Sequence, residues 1–486
     1  MCGAVFARRS RELGYEVTVV DTAEIPTIGV GEASIPTIYD LLSHVGIEDA
    51  ELIKHTAATF KYGIQFEGWS RAGEHYMHGF GNMGTPLNGQ EFFSAWLASA
   101  AYFTNRNLGH FTPAVVAALK DRFTRVAMRP EDAPENLFFP LAELSYALHF
   151  DASLLARLLK QKAVDDGAIH LSRHVTDVAT GPDGITSLST KDGKTLEADF
   201  FIDCSGITGV LSRKALAGRF DDWSAFLPCD NAIAVQTERA TTPRLFTRSV
   251  AHEAGWRWEI QLQSRTGNGC VYSSEYMSED EATALLMREI TGTPITEPRK
   301  IAFKTGRLME PWTHNCAAIG LSAGFLEPLE STSIHLICKY ALMLEKSLLE
   351  GRADAQAREE FNRAWRKETD EVRDFLMAHY IVNQRPEPFW QARREGPRPE
   401  TLSACLSGLS ERGWIELPEE ALFGHDSWYQ VLIGQGFLLD YKRFAAPQDI
   451  AHKILPFLQN VGRAVASETD NIPKTHAEAL EALRAS

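Results

Sequence analysis

The run from Cys316 to Gly351, CAAIGLSAGFLEPLESTSIHLICKYALMLEKSLLEG, holds the most chemistry in the least space. Glu327 and Glu330 place two carboxylates in a small-residue loop that opens a helix at about Ser331. A helix start offers free N–H groups and the positive end of a dipole, so it is an anion site by construction. A carboxylate beside it is electrostatically awkward unless the site uses both signs. Asp21 closes the β-branched run YEVTVVD after a helix and a glycine. A dinucleotide-binding βαβ unit places there the acid that hydrogen-bonds a ribose hydroxyl. Gly29 and Gly31, in PTIGVGEASIP, let the backbone approach a flat ligand. Lys61, in ATFKYGIQFEGW, and His78, in YMHGFGNMG, complete the set. Each has a plainer reading. Glu330 and Ser331 cap a helix, Gly29 and Gly31 make a surface turn, Lys61 sits on a strand's solvated face, and a lone histidine is structural.

The elements that must position these residues follow from periodicity. Cys2 to Leu13 is helical and stops at Gly14; Tyr15 to Val20 is a strand. Ala58 to Trp69 alternates strictly, with Phe60, Tyr62, Ile64 and Phe66 on one face and Thr59, Lys61, Gly63, Gln65 and Glu67 on the other. That predicts one half-buried strand. Tyr76 to Gly84 predicts a loop, and Phe93 to Phe123 an aromatic helix. Asp151 is an N-cap for a helix whose Leu154, Leu155, Leu158 and Leu159 form the buried stripe. From His170 the period changes to strands, broken at Pro182-Asp183-Gly184 and Asp192-Gly193 and ending in ADFFIDCSG. A meander into a strand that closes on Asp203 and Gly206 (D-x-x-G) is a pattern of FAD-binding folds. Phe226 to Met277 is a second β-rich stretch. In it Trp256, Trp258 and Ile260 share a face, and Gly267 and Gly269 mark turns. Ala317 to Leu321 is a buried strand. Beyond Gly351 the chain is helical, with a Pro/Arg-rich break over Arg385 to Pro399 and a tail that frays after Ser467.

Composition sets the outer bounds. At 486 residues the chain is long for one core, and two or three subdomains are expected. A net charge of −15 argues against a basic surface for nucleic acid and against a polybasic membrane anchor. The seven cysteines are scattered, without a C-x-x-C pair, which predicts no disulfide framework, no structural zinc and a reduced, cytoplasmic setting. No stretch reaches the roughly 18 uninterrupted apolar residues of a membrane span, and the N-terminus lacks a signal peptide's apolar region.

Seven stretches, IGVGEASIP, FKYGIQFEGW, MHGFGN, HFDASLLARLL, FIDCSG, GWRWEI and FLEPLEST, taken together and in order resemble the flavin-dependent halogenases of the tryptophan/indole type. The resemblance runs from about residue 3 to about residue 400. It implies an α/β fold: a flavin-monooxygenase-like, Rossmann-type FAD module with a β-rich insertion, and a mainly helical C-terminal substrate region. The module is discontinuous over residues 1–350, with inserted segments at about 58–130 and 215–300; residues 351–486 complete the substrate site. The implied reaction uses reduced FAD from a separate flavin reductase, O2 and bromide or chloride. Hypohalous acid forms and is guided to an indole-type aromatic. The family's tunnel lysine falls on Lys61, its catalytic glutamate on Glu330 and its halide site on Thr332 and Ser333. The aromatic substrate falls against His78, Phe80 and Glu330. Flavin contacts are expected at Asp21, at Gly29, Val30, Gly31, Glu32 and Ala33, near Asp203 and Gly206, and along Ser322, Phe325 and Leu329. No metal is expected, and a homodimer is allowed for.

The chemistry suits these assignments. Hypohalous acid is small and indiscriminate, so it needs one donor aimed at one carbon. A lysine amine can serve by hydrogen bond or as a haloamine. Attack on an indole makes a cationic ring, which a carboxylate stabilises and helps deprotonate. The sequence also departs from the family. No G-x-G-x-x-G turn precedes the first helix: either the sequence begins at an internal methionine, or the turn is truly missing and the hold on the pyrophosphate is weaker. Gln261 stands where the W-x-W-x-I-P signature has proline. Ser333 replaces a common glycine and leaves bromide against chloride open. Trp428 and Tyr429 lie where the family clamps free tryptophan but give no clear clamp, so indole or a substituted indole is the expected substrate. An aromatic hydroxylase on the same fold and a flavin-blind binding protein are the competing readings.

Overall fold

The computed structural model describes residues 1–22, 24, 31–104, 106–125 and 138–485. Gly29 and Val30 lie outside the described residues. The chain divides into two compact units. One comprises Met1–Ala58, Phe150–Asn231 and Ile301–Asp370; the other comprises Thr59–His149, Ala232–Lys300 and Glu371–Ser486.

In the first unit the helix Cys2–Leu13 ends at Gly14, whose φ of 73° is left-handed and whose N–H bonds the Ser10 carbonyl. Only glycine adopts that conformation without strain. The next strand begins at Thr18 rather than Tyr15 and runs to Asp21, parallel to Ile169–Ser172. Tyr15 belongs to the helix end instead: its N–H reaches the Ser10 carbonyl and its hydroxyl donates to the Phe6 carbonyl at 3.0 Å. Asp151 caps the helix Ala152–Asp165 by accepting from the Ser153 and Leu154 N–H groups. Strands Val175–Gly181, Gly184–Thr190 and Thr195–Leu196 form the antiparallel meander. Its Ile185 and Leu188 pack with Phe201, Leu211 and Cys316 in one apolar cluster. That cluster supports two parallel strands, Phe201–Asp203 and Cys316–Ala318. The second ends earlier than its apolar run suggests, because Gly320, at φ 76°, turns the chain out of the sheet.

The second unit holds six successive strands of a seven-stranded sheet, in the order Asn231–Glu238, Arg265–Tyr272, Gly255–Gln261, Phe246–His252, Gly63–Glu67 and His75–Gly79. Tyr76 therefore lies in a strand, not a loop. Gly267 and Gly269 are likewise strand residues rather than turns. The Trp258 ring lies over Gly269, where a Cβ would stand 2.0 Å from it. The aromatic stretch from Phe93 is two helices, Phe92–Ser99 and Pro113–Leu119, rather than one. The tail does not fray after Ser467: a helix runs on to Asp470, and His476–Ala485 follows with His476 fully buried.

The alternating run from Ala58 is also two strands, Thr59–Lys61 and Gly63–Glu67, in different sheets. The first pairs with Ala147–Phe150, placing Lys61 opposite Ala147. The second pairs with His75–Gly79 and Phe246–His252. Tyr62 makes the switch: its N–H donates to the Leu245 carbonyl at 2.6 Å and its carbonyl accepts from the Phe80 N–H at 2.8 Å. Both faces of this segment are covered, so alternation does not separate solvent from core here.

Candidate functional site

The first unit presents an unusual helix start. Pro328–Glu330 forms one 3-10 turn, and Ser331 adopts φ 62°, ψ 30° before the helix Thr332–Leu349 begins. A left-handed serine costs about 1–3 kcal/mol and persists only where its surroundings hold it. Ser331 makes no side-chain capping bond, so it does not serve the helix as a cap. Thr332 Oγ1 is buried without a hydrogen-bond partner, a vacancy worth about 1–3 kcal/mol. Glu330 and Thr332 are 0% exposed and Ser333 is half-buried. The strain, the orphan hydroxyl and the uncapped first turn together make an anion-accepting geometry next to a buried carboxylate.

The two parallel strands of this unit meet the expectation for a flat dinucleotide, which binds outside the carboxyl ends of strands. Phe201–Asp203 leads to Gly206 (φ 74°), and Cys316–Ala318 leads to Gly320 and Ser322. A Cβ built on Gly206 would meet nothing within 4 Å, so the chain leaves open room there. The residues present therefore fit FAD in this region. The Asp203 carboxylate itself is committed elsewhere. It is buried and accepts from the N–H groups of Ser205, Leu211 and Ser212 and from the hydroxyls of Ser205 and Ser212, at 2.6–3.1 Å. Its carbonyl takes the Ser322 hydroxyl and the Ile319 N–H. Asp203 and Ser322 thus lock two strand ends together, and ligand contact there falls to the glycines and main chain. Phe325 is half-buried against Phe303 at 4.7 Å between ring centroids, and Leu329 is buried. Gly31 and Ala33 are buried; Glu32 and Ala33 form a short strand. Asp21 is exposed, with its carboxylate 2.9 Å from His170 Nε2.

The second unit overturns the solvated reading of Lys61. Its relative exposure is 0%, and Nζ lies 5.1 Å from the centroid of the Phe80 ring. His78, also buried, meets the rings of Phe375 at 5.7 Å and Phe423 at 6.3 Å. Lys61 and Phe80 are therefore brought together, with His78 two residues before Phe80 in the strand His75–Gly79. Two further histidines belong to this neighbourhood and were not among the residues singled out from sequence. His149 is buried across from Thr59; its Nδ1 faces Thr59 Oγ1 at 3.3 Å and its Nε2 faces Thr247 Oγ1 at 2.9 Å. Burial first, then the charge of Lys61, hold its pKa well below the ordinary value. His476 accepts the N–H of Phe60, the residue before Lys61, at 3.0 Å and faces the Pro243 carbonyl at 2.9 Å. His149 lies inside a stretch that reads as a helix cap, and His476 in a tail that reads as frayed, so neither carried a local signal.

Comparison with known proteins identifies the family of the whole chain. The tryptophan halogenase family model matches residues 1–448. Tryptophan 6-halogenase ThaL of Streptomyces albogriseolus is 31% identical, covering 97% of this chain and 94% of its own length. Tryptophan 7-halogenase RebH of Lentzea aerocolonigenes is 32% identical over 78% of this chain and 74% of its own. Among solved structures, BrvH, a flavin-dependent halogenase from Brevundimonas sp. BAL3, superposes with a TM-score of 0.91 at 34% identity, covering 99% of this chain and 96% of that one. The chain thus belongs to the tryptophan halogenase family and is a flavin-dependent halogenase.

Proposed function

We propose that this enzyme brominates or chlorinates an indole-type aromatic, with Lys61 directing hypohalous acid and Glu330 assisting at the ring. The observation that carries this is the burial of Lys61, a 0%-exposed amine 5.1 Å from the Phe80 ring centroid. A lysine is removed from water only where the fold has a use or a partner for it. Bound FAD, supplied reduced by a separate reductase, provides with O2 the oxidising equivalents that turn halide into hypohalous acid. Thr332 and Ser333 hold the halide on helix-start amides. The Lys61 amine then donates to the hypohalous oxygen, or takes the halogen itself, and so fixes one direction of delivery. Phe80 and His78 pack the aromatic, and Glu330 stabilises the cationic ring and helps remove its proton.

ThaL and RebH are named for tryptophan, which supports an indole nucleus. Trp428 and Tyr429 are buried, with Tyr429 stacked on Phe93 at 3.7 Å between ring centroids. That supports indole or a substituted indole over the free amino acid. A cytoplasmic setting and a homodimer complete the proposal. The test is mass spectrometry of indole incubated with enzyme, FAD, a flavin reductase, NADH and bromide or chloride. Halogenated indole is expected, and Lys61→Ala should abolish it while hydrogen peroxide release continues. An oxygenated product that forms without halide would establish the hydroxylase instead.

A further inference from the structure

We infer that His335 is a positioning residue for halide binding, setting the first turn of the Thr332–Leu349 helix at the angle where it accepts the ion. The inference rests on the placement of the halide at Thr332 and Ser333.

His335 stands three residues after Thr332 in the same first turn, where i and i+3 side chains are neighbours with Cβ atoms about 5–6 Å apart. It is 5% exposed, and both ring nitrogens are engaged. Nε2 lies 2.8 Å from Glu368 Oε1, and Nδ1 lies 2.7 Å from Thr37 Oγ1. Glu368 is itself buried. Burial alone would raise its pKa, but hydrogen bonds and charge from His335 and Lys339 hold it below the ordinary value. As a carboxylate it only accepts, so the Nε2 hydrogen points at it. Its Oε1 also takes Lys339 Nζ at 3.0 Å, and its Oε2 takes the Tyr340 hydroxyl at 2.8 Å. Residues 335 and 339 share a helix face, so this one carboxylate fastens the start of the helix to the neighbouring helix Ala355–Ile381.

The other nitrogen reaches a different segment. Thr37 is the cap residue of the helix Ile38–Val45 and closes the segment that begins at Gly31. His335 therefore ties the anion-accepting turn to the flavin-side segment on one side and to a long helix on the other. The turn needs such support. Ser331 is left-handed without a cap, and Thr332 Oγ1 lacks a partner. The Ser331 N–H closes the turn on the Pro328 carbonyl at 3.2 Å, and the two bonds of the imidazole tie the helix that follows it to its neighbours.

The test is bromide titration of wild type, His335→Ala, His335→Gln and Thr37→Val at fixed indole, alongside a bromide-soaked crystal read by anomalous scattering. His335→Ala should raise the bromide KM about tenfold, which is about 1.4 kcal/mol. The turnover rate at saturating bromide and the indole KM should change less than about threefold. His335→Gln, which keeps one bond, and Thr37→Val, which leaves the Glu368 contact in place, should each give smaller shifts in the same parameter. If His335→Ala fails to fold, those two decide. A bromide KM unchanged in all folded variants would overturn the inference, as would an equal fall in every parameter. A bromide peak away from Thr332 and Ser333 would instead remove the halide placement on which it stands.

Discussion

Acid should loosen the strand that carries Lys61, and the size of the effect follows from His476. Its Nε2 accepts the Phe60 N–H and its Nδ1 donates to the Pro243 carbonyl. That pair of bonds requires the neutral ring, because a proton on Nε2 would displace the Phe60 N–H. Burial lowers the pKa from an ordinary 6.5 to about 4, with the Pro243 bond acting the other way. An imidazole whose folded-state pKa lies below its unfolded value adds stability above the unfolded value and loses it as the pH falls. Here the loss begins near pH 6.5 and is complete near pH 4, amounting to about 3 kcal/mol. His149 acts in the same direction. Asp426 opposes them, since burial raises its carboxyl to about 6 and its protonation favours the fold at low pH. A variant isolates the one histidine. In His476→Gln the amide keeps an acceptor for Phe60 and a donor for Pro243 but does not titrate. It should cost about 1–2 kcal/mol at pH 7.5. Urea unfolding of both proteins from pH 7.5 to pH 4 should show the gap closing and the curves crossing below pH 6.5. Parallel curves would refute the neutral, buried role of His476.

Three substitutions probe the rest of the site. Asp203→Asn turns one acceptor oxygen into a donor facing donors and should cost about 2–3 kcal/mol. The melting temperature and FAD affinity should fall together, and an unchanged melting temperature would contradict the strand-end lock. Gly269→Ala forces a methyl into the Trp258 ring and should cost about 1–3 kcal/mol, read by calorimetry with a change in tryptophan emission; a neutral result would mean the ring is free to move. Glu330→Gln keeps the volume and removes the charge. It should lower the turnover rate about 10²-fold with little change in bromide KM, and wild-type turnover would remove Glu330 from the chemistry.

The local elements were the most legible part of the chain because they answer to local rules. Gly14 had to end its helix, Asp151 had to start one, and the turns at Asp183-Gly184 and Asp192-Gly193 had to break the meander; all four do. The misses come from tertiary contact overriding those rules. Gly269 looks like a turn residue until the Trp258 ring is seen occupying the space its side chain would need. His476 sits in a polar tail and becomes buried only because Phe60 and Pro243, both more than 200 residues away in sequence, close over it.

Lys61 and Glu330 show why a site is harder to read than a fold. An alternating strand assigns one face to water, and Lys61 fell on that face. The assignment holds only if one side of the sheet is wet. The segment changes sheets at Tyr62, and the sequence has no mark for that beyond Gly63, where a side chain would strike the His78 carbonyl at 2.2 Å. Once both faces are covered, the polar half of the pattern becomes the informative half: a lysine that the alternation places in solvent is instead buried beside Phe80, and that burial is what the proposed role of Lys61 rests on. At Glu330 the sequence cue was the reverse. A carboxylate beside a helix start reads as part of an ordinary cap, and the left-handed, non-capping Ser331 removes that reading for the serine. A turn that forgoes its cap and leaves Thr332 Oγ1 unsatisfied is less stable than the same sequence could make it, and the halide proposed at its amides would be the compensation.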